Sequence, residues 1–480
     1  MVLLKEEKNL EEFYIDNYLK NLKTGAAKEK KYLSDTEAFL DLCSSVQAYF
    51  EEEWKKAEGQ ELKILERQTK ALIGIPDHVN YFKDIISKYL EDNAKTGSSY
   101  PKWYKSLTDA IFHEVWGLSG ISAWMDMPES SSAKIIGERI YFLIDGKMIL
   151  QEQKISPNRF NALKKALLLL TPEVPGSSPN IEILMYSGER VTFYGGTLTK
   201  EGQDIMVFRK YVVFNYSLEE QARRKTIPKE AVSMLKNLAQ VGFNVLFCGA
   251  VRTAKTTMLT TFQLLEDKSL EGVLIESNAE IPLHKLMPDA PVMQLVCDGE
   301  ALSDITKQLM RSDGDYIICG EARDGNMLNL LVEIANRGTR HCKSTIHLTD
   351  VFDLPYDIAN MIVNKKGGSL DHTIIKVAKS FHYVFSFIQL ADRSQKRLKG
   401  IYEIRYDGKT HNISIHQICR YELKNDSWSF AHDIGIDKEA IAKEENYDAF
   451  ISFEYELKKL SEKFPMKNYE AVIPFYSKGS

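Results

Sequence analysis

The chain has 480 residues, of which 44% are hydrophobic and 27% are charged. This composition is typical of a globular protein with about two to four domains, and it excludes a mostly disordered chain. The 62 basic and 67 acidic residues give a net charge of -5, without the basic surplus of a general nucleic-acid-binding protein. We therefore expect no direct sequence-specific nucleic-acid binding.

Six cysteines are spread along the chain: Cys43, Cys248, Cys297, Cys319, Cys342 and Cys419. None of them has the spacing of a C-x-x-C motif or of a zinc finger, so we expect buried, reduced thiols. The longest apolar runs, such as Ala166–Leu170, are far shorter than the ~20 residues that cross a bilayer. The first residues also lack the apolar region of a signal peptide, so we expect a cytoplasmic location.

Residues 1–100 are rich in Glu, Lys and Leu and predict a helical N-terminal extension. Apolar residues recur with helical period over Leu10–Leu22 and over Ser34–Lys70, which predicts two amphipathic helices, the second one long. The composition of Asp92–Pro101 is that of a linker.

Residues 101–215 combine strands and helices and predict an α+β N-terminal domain, followed by a polar linker over 216–232. Arg139–Ile144 and Lys147–Leu150 read as a hairpin around the turn Asp145-Gly146. The other predicted elements of this region are the helix Asn158–Leu170, the loop Thr171–Asn180 and the strands Ile181–Tyr186, Arg190–Tyr194 and Ile205–Arg209.

Residues 233–430 alternate apolar strands with helices, the pattern of an α/β domain with a largely parallel sheet. The predicted helices are Lys255–Leu265 and Ser303–Arg311. The predicted strands are Asn244–Cys248, Gly272–Ile275, Val292–Val296, Tyr316–Cys319, Tyr383–Leu390, Gly400–Tyr406 and His411–Cys419. Residues 431–480 predict a helical, peripheral C-terminal tail.

A degenerate P-loop follows the strand that ends at Cys248 and opens a helix. Its residues are Gly249, Ala250, Val251, Arg252, Thr253, Ala254, Lys255, Thr256 and Thr257. They fit the pattern G-x-x-x-x-G-K-[ST] except that Ala254 stands at the second glycine. Such a loop directs backbone N–H groups at a phosphate, with Lys255 as an exposed phosphate ligand. The alternative is an ordinary strand-turn-helix with a solvent-facing lysine.

Acidic residues follow two later strands. Glu276 and Glu280 come at the end of one strand, and Glu321 comes at the end of another. An acid at the carboxyl end of a buried strand after a P-loop is placed to approach a magnesium ion. A solvated strand end is the alternative for each acid taken singly. His347 ends a further short strand, where a histidine satisfied within the core is the alternative.

These motifs, in this order, resemble those of the secretion-superfamily ATPases. These are the hexameric motors of type II secretion, type IV pili, Tad-type pili and type IV (conjugative) secretion. The family has a Walker A motif, an Asp box resembling E-D-x-x-E-L, a Walker B motif G-E-x-R and a His box T-x-H. This chain has ESNAEIP, GEARD and STIHL in those places, and GERV and VFRKY upstream. The resemblance covers roughly residues 111–420 and is closest to the type IV secretion and Tad branch.

The resemblance implies an α/β fold: a RecA-like P-loop ATPase domain, a preceding α+β N-terminal domain and the helical extension. It implies ATP and Mg²⁺ as cofactors, bound by the P-loop. Lys255 resembles the Walker A lysine and Thr256 the magnesium ligand beside it. Glu321 matches the Walker B glutamate near the metal.

Further roles follow from the same resemblance. Glu276 matches the first Asp-box acid, and Glu280 matches the general base that activates the attacking water. His347 matches the residue that senses the nucleotide state. Arg190 and Arg209 lie where the family places arginines that reach the γ-phosphate from the N-terminal domain, and Arg209 is the closer match.

The chain departs from the family at Ala254, Ser277, Asn326 and Thr339, which replace a glycine, an aspartate, a glutamate and a histidine. Because the lysine and the main acids are retained, we expect a divergent ATPase motor. It would form a homo-hexamer at the inner face of the cell membrane and act on inner-membrane components of a secretion, conjugation or pilus machine. A nucleotide-binding structural subunit with little turnover and an unrelated P-loop protein are the alternatives.

Overall fold

A computed structural model describes residues 36–56, 61–169, 180–186, 188–210, 215–311, 314–474 and 476. The chain divides into two compact units, one ending at Lys210 and the other beginning at Tyr211, and each is described by itself. The predicted helix over Leu10–Leu22 lies outside the described residues, as does nearly all of the predicted loop over Thr171–Asn180. The division of the sequence into five segments stays a prediction.

The N-terminal unit begins with helices that share one aromatic core. They are α1 (36–55), α2 (Glu61–Leu72), α3 (Pro76–Asp92), α4 (Leu107–Val115) and α5 (Ser122–Met125). The predicted single helix over Ser34–Lys70 was wrong, because α1 ends before a turn at Lys56 and α2 follows. The sequence reading also missed α3, which Pro76 opens.

The core of these helices lies between α1, α3 and α4. Phe50, Phe82 and Trp116 are buried together, with 4.5 Å between the ring centroids of Phe50 and Trp116. Phe112 of α4 joins the same cluster. The helix that follows the linker-like segment therefore packs with helices that precede it.

A six-stranded antiparallel sheet completes this unit. Its strands are β1 (Ser132–Ile136), β2 (Arg139–Ile144), β3 (Lys147–Lys154), β4 (Asn180–Leu184), β5 (Arg190–Tyr194) and β6 (Ile205–Arg209). The strand order is β3-β2-β1-β6-β5-β4, and helix α6 (Pro157–Leu168) packs in the same core. The predicted hairpin turn is confirmed, since Asp145 and Gly146 have φ of 48° and 76°, as a type I′ turn requires.

The C-terminal unit contains a nine-stranded sheet. Its strands are β7 (Val245–Gly249), β8 (Gly272–Glu276), β9 (Val292–Val296), β10 (Tyr316–Cys319), β11 (Lys343–Ile346), β12 (Tyr383–Gln389), β13 (Lys396–Tyr406), β14 (Ile413–Glu422) and β15 (Ser427–Phe430). Its helices are α7 (Leu218–Arg223), α8 (Val232–Gln240), α9 (Lys255–Leu264), α10 (Leu283–Leu286), α11 (Gly299–Leu309), α12 (Gly325–Ala335), α13 (Leu354–Lys366), α14 (Leu370–Ser380), α15 (Ile436–Glu444) and α16 (Tyr447–Lys463).

The strand order is β15-β14-β13-β12-β7-β11-β10-β8-β9. The strands from β12 to β9 run parallel, while β13, β14 and β15 extend the sheet by antiparallel hairpins. This is a RecA-like α/β domain, which confirms the predicted fold class. The carboxyl ends of β7, β8, β10 and β11 meet at one sheet edge, and every predicted motif of this unit follows one of those strands.

The C-terminal helices are not peripheral, which corrects the expectation from the sequence. Phe450, Phe453 and Leu457 of α16 are buried in the core of this unit, because the helix presents one apolar face to the domain. Within the described part of the chain, all six cysteines are free thiols, and no helix is both long enough and apolar enough to cross a membrane.

Candidate functional site

The P-loop lies between the end of β7 and the start of α9. Gly249 has φ of 142°, and a Cβ at this position would lie 2.4 Å from the carbonyl oxygen of Phe387, so only glycine fits. The Thr253 hydroxyl donates to the carbonyl oxygen of Ala250 at 2.9 Å. Val251 is 61% exposed at the tip of the loop. The loop therefore closes tightly and presents its backbone at the sheet edge.

Ala254 immediately precedes α9 and has a left-handed backbone, with φ of 77° and ψ of 18°. A glycine adopts this conformation without the steric penalty that a Cβ brings. Ala254 therefore replaces the second P-loop glycine at a position whose backbone conformation favours glycine. Arg252, with φ of 64°, is a second residue of the loop in this region.

Lys255 is the first residue of α9 and is only 6% exposed, so the expectation of an exposed lysine was wrong. Its ammonium donates to the carbonyl oxygen of Ala250 at 2.8 Å and lies 3.4 Å from His347 Nδ1. Burial lowers the pKa of Lys255 to about 8, and the negative charges of Glu321 and Glu280 oppose this fall. A cation at a helix N-terminus is unfavourable unless an anion approaches it.

Glu321 binds two side chains, and one of them, His347, also contacts Lys255. Its carboxylate lies 2.6 Å from His347 Nε2 and 2.5 Å from Arg323 Nη2. Burial alone would raise the pKa of Glu321, but the hydrogen bonds from His347 and Arg323 outweigh it and lower the pKa to about 2. Glu321 is therefore a fixed negative charge, and His347 lies between it and Lys255.

Glu276 and Glu280 occupy different environments although they are only four residues apart in the chain. The buried Glu276 carboxylate accepts the backbone N–H groups of Glu280 at 3.1 Å and Ile281 at 3.0 Å. Burial raises the pKa of Glu276 to about 8, against the effect of those two N–H groups. Gly320 leaves room for this side chain, because a Cβ there would lie 2.9 Å from Glu276 Cγ. Glu276 thus holds the segment that presents the half-buried Glu280.

The start of α9 carries donor groups that suit an anion and hydroxyl groups that suit a metal. The first N–H groups of a helix have no acceptor within the helix, and they point outward at its positive end. Thr256 and Thr257 are half-buried in this first turn. A threonine hydroxyl and the ionised Glu321 are oxygen donors of the kind that Mg²⁺ prefers, so these residues fit the predicted magnesium site.

Arg190 and Arg209 belong to the N-terminal unit, where they lie directly opposite each other on β5 and β6. Arg190 pairs with Glu182 at 2.8 Å, whereas Arg209 is exposed and forms no ion pair with a described residue. Two arginines placed opposite each other in a sheet repel, so an anion bound there would be stabilising. Their predicted role at a γ-phosphate stays a prediction.

Two contacts in the site were missed from the sequence. Arg323, two residues after Glu321, lies in the GEARD motif and binds that carboxylate, a role that the sequence motif does not indicate. The Thr345 hydroxyl donates to the carbonyl oxygen of Gly320 at 2.7 Å. At one of the departures from the family pattern, Asn326 donates from its amide to the carbonyl oxygen of Gly299 at 3.2 Å, which is a structural contact.

A parallel sheet in RecA-like order, with a P-loop after β7 and an acid and a histidine after β10 and β11, defines the class of RecA-like P-loop proteins. Residues 181–419 match the family model "Type II/IV secretion system protein". Over these residues the chain is similar to the type II/IV secretion system protein family, as the sequence motifs predict.

Individual relatives are more distant. The uncharacterized protein MJ1287 of Methanocaldococcus jannaschii is 26% identical over 214 residues, which are 44% of this chain and 76% of that protein. The structure of the VirB11 ATPase of the Brucella suis type IV secretion system is 15% identical, with a TM-score of 0.32 over 59% of this chain and 95% of that one. The Legionella pneumophila ATPase DotB is 14% identical, with a TM-score of 0.45 over 76% of this chain and 90% of that one.

Proposed function

We propose that this protein is an ATPase motor that hydrolyses ATP to drive a membrane-embedded secretion, conjugation or pilus machine. The observation that carries this proposal is the convergence of Lys255, Glu321 and His347 at the start of α9. These three groups come from three elements, and the imidazole links the other two: His347 lies 3.4 Å from the buried Lys255 ammonium and 2.6 Å from the ionised Glu321 carboxylate. The family of residues 181–419 supports the same function.

The phosphates of ATP would lie on the loop from Gly249 to Thr257. In that position the N–H groups at the start of α9 bind the phosphate oxygens. Lys255 would leave the carbonyl oxygen of Ala250 and bind the terminal phosphates instead, where an anion restores the pKa that burial lowers. Thr256 and Glu321 would hold Mg²⁺, which neutralises charge on the phosphate oxygens when it is bound.

Glu280 would act as the general base, because it is half-buried and close enough to influence Lys255, while the other half-buried acid, Glu321, is engaged by His347 and Arg323. Glu276 would keep the Glu280 segment in place through its two backbone hydrogen bonds, and His347 would report the nucleotide state to Glu321. Arg209, with Arg190 beside it, would bind the γ-phosphate from the N-terminal unit of the same or a neighbouring chain.

We further propose that the motor is a cytoplasmic homo-hexamer at the inner face of the cell membrane, in contact with inner-membrane components of its machine. The alternative is a nucleotide-binding structural subunit with little turnover. The backbone of Ala254 favours this alternative, because a strained P-loop binds phosphate less readily. The two proposals differ in the rate of phosphate release.

Magnesium-dependent phosphate release by the full chain tests the proposal, with Lys255→Ala as the variant. We expect Lys255→Ala to abolish release, while Lys268→Ala, at an exposed lysine between α9 and β8, leaves the rate unchanged. Equal rates in Lys255→Ala and the parent would show that the site is misplaced. ATP binding without release, with membranes containing the partner machine present, would establish the structural subunit instead.

A further inference from the structure

A buried pair of charges lies at the C-terminal end of α9, whereas Lys255 lies at its N-terminal end. Glu266 follows the last turn of α9, and Lys343 is the first residue of β11. Their side chains are 2% and 1% exposed, and Lys343 Nζ lies 2.5 Å from Glu266 Oε1. The two residues join α9 to β11 although they are distant in sequence.

Other polar groups surround this pair. Lys343 Nζ also donates to Gln263 Oε1 at 3.2 Å and to the carbonyl oxygen of His341 at 2.9 Å. His341 lies between two carboxylates, 2.5 Å from Glu266 and 3.4 Å from Glu445, which follows α15. The lysine therefore has three acceptors and the glutamate two cationic partners.

Stability alone is a poor reason for this arrangement. Removing two charges from water costs several kcal/mol per ion, and apolar residues of similar size often stabilise a core as well or better. A negative charge is also unfavourable at the C-terminal end of a helix, where Glu266 lies. The pair does, however, fix one distance closely, namely the spacing between the end of α9 and the start of β11.

That spacing bears directly on the candidate site. Helix α9 begins at Lys255, and β11 leads directly into His347, four residues after Lys343. Between them, Thr345 donates to the carbonyl oxygen of Gly320 at 2.7 Å and accepts the N–H of Ala322 at 2.8 Å, so β11 contacts both neighbours of Glu321. A shift of β11 along α9 would therefore change the Lys255–His347 distance and disturb the backbone on both sides of Glu321.

We propose that Lys343 and Glu266 are positioning residues for the nucleotide site, which act by holding β11 in register with the P-loop helix. The inference rests on the function proposed above. Side chains that must be held within a fraction of an ångström need a rigid support, and a displacement of about 1 Å can cost on the order of 100-fold in rate. Neither residue touches the nucleotide.

The test compares Lys343→Met with the loss of a largely buried ion pair elsewhere in the same sheet. Arg405 pairs at 2.5 Å with Glu403, which is 0% exposed, and β13 holds both residues but none of the motif residues. Arg405→Met is therefore the control. Lys343→Arg, which keeps the charge, is the conservative variant. Full-length proteins are compared in kcat, KM, affinity for a non-hydrolysable ATP analogue with Mg²⁺, and thermal unfolding.

We expect Lys343→Met to lower kcat on the order of 10-fold to 100-fold per folded molecule, with KM and analogue affinity changed by less than about threefold. Lys343→Arg should recover most of the loss, and Arg405→Met should lower the unfolding temperature without a change in kcat. If Lys343→Met and Arg405→Met lose stability alike and keep the parent kcat, the pair is merely structural and the inference is wrong.

A second measurement does not depend on turnover. The ¹⁵N resonances of the His347 imidazole in the unliganded protein, assigned with His347→Gln, report its hydrogen bond with Glu321. We expect these resonances to move in Lys343→Met and to stay in Arg405→Met. An unchanged His347 spectrum in Lys343→Met would overturn the positioning role. Absence of phosphate release by the parent would instead overturn the proposed hydrolysis, and the spectrum would still decide the inference.

Discussion

Replacing Ala254 by glycine tests how the strained P-loop backbone affects two quantities, the stability of the fold and the affinity for nucleotide. Ala254 has φ of 77° and precedes α9, so its conformation is left-handed and not that of a helix. From the sequence alone, a glycine in the first turn of a helix is expected to cost up to about 1 kcal/mol. The observed backbone reverses that expectation.

Two opposing contributions determine how Ala254→Gly changes the free energy of unfolding. A left-handed backbone costs a residue with a Cβ about 1–2 kcal/mol, and glycine removes this cost. Glycine also increases the conformational entropy of the unfolded chain, which costs about 0.4–1 kcal/mol. We therefore expect Ala254→Gly to leave the free energy of unfolding unchanged or raise it by up to about 1.5 kcal/mol. In calorimetry this is a rise of roughly 0–5 °C for a unit of this size.

Nucleotide binding responds only to the part of the strain that differs between the free and bound loops. If the strain in the free loop exceeds that in the bound loop by about 1 kcal/mol, glycine makes ATP bind roughly fivefold more tightly. The expected effect on affinity therefore runs from no change to about fivefold. Isothermal titration with Mg-ATP analogues and phosphate release measure the two effects. Turnover should stay the same or rise.

Ala94→Gly is the matched control, because Ala94 is an exposed alanine with φ of 51° in the turn after α3, outside the P-loop. It should change stability by a similar amount and leave ATP affinity unaltered. A drop in unfolding temperature for Ala254→Gly would refute the backbone argument. Weaker ATP binding in Ala254→Gly would refute the assignment of this loop to phosphate.

Three further predictions concern Glu280, Arg209 and the half-buried His341. Glu280→Gln should bind ATP and release phosphate about 10²–10⁴-fold more slowly, and an equal loss of binding and turnover would make Glu280 structural. Arg209→Ala should lower turnover with little change in unfolding temperature, because the side chain is exposed; a monomer active at full rate at all concentrations would contradict the proposed ring. Burial lowers the pKa of His341, but Glu266 and Glu445 outweigh this and raise it to about 9, with Lys343 opposing them. Because this pKa exceeds the value near 6.5 of the unfolded chain, its stabilisation of up to about 3 kcal/mol is complete below pH 6.5 and is lost as the pH rises through 9. Denaturant unfolding at several pH values should show this loss in the parent and not in His341→Gln.

The sequence by itself determined the bounds of those strands that depend only on their own residues and the turns beside them. The bounds of β2, β5, β6, β9 and β10 agree with the prediction, because apolar alternation or short apolar runs end at turn residues there. The strand-loop-helix around Lys255 was predictable for the same reason. The order of the acidic and histidine motifs then indicated the family, which the match over residues 181–419 bears out.

Only the tertiary structure determined those features that depend on contacts between residues distant in the chain. Whether Lys255 is exposed depends on β10 and β11, which bring Glu321 and His347 over it, and no local pattern encodes that burial. The missed α3 and the buried α16 are stabilised by cores whose other members lie far away in the chain. The left-handed Ala254 is imposed by the closure of the loop from β7 to α9, against the preference of alanine itself. The pairing of Glu266 with Lys343 likewise follows from the parallel order of the sheet, because that order alone places the start of β11 beside the end of α9.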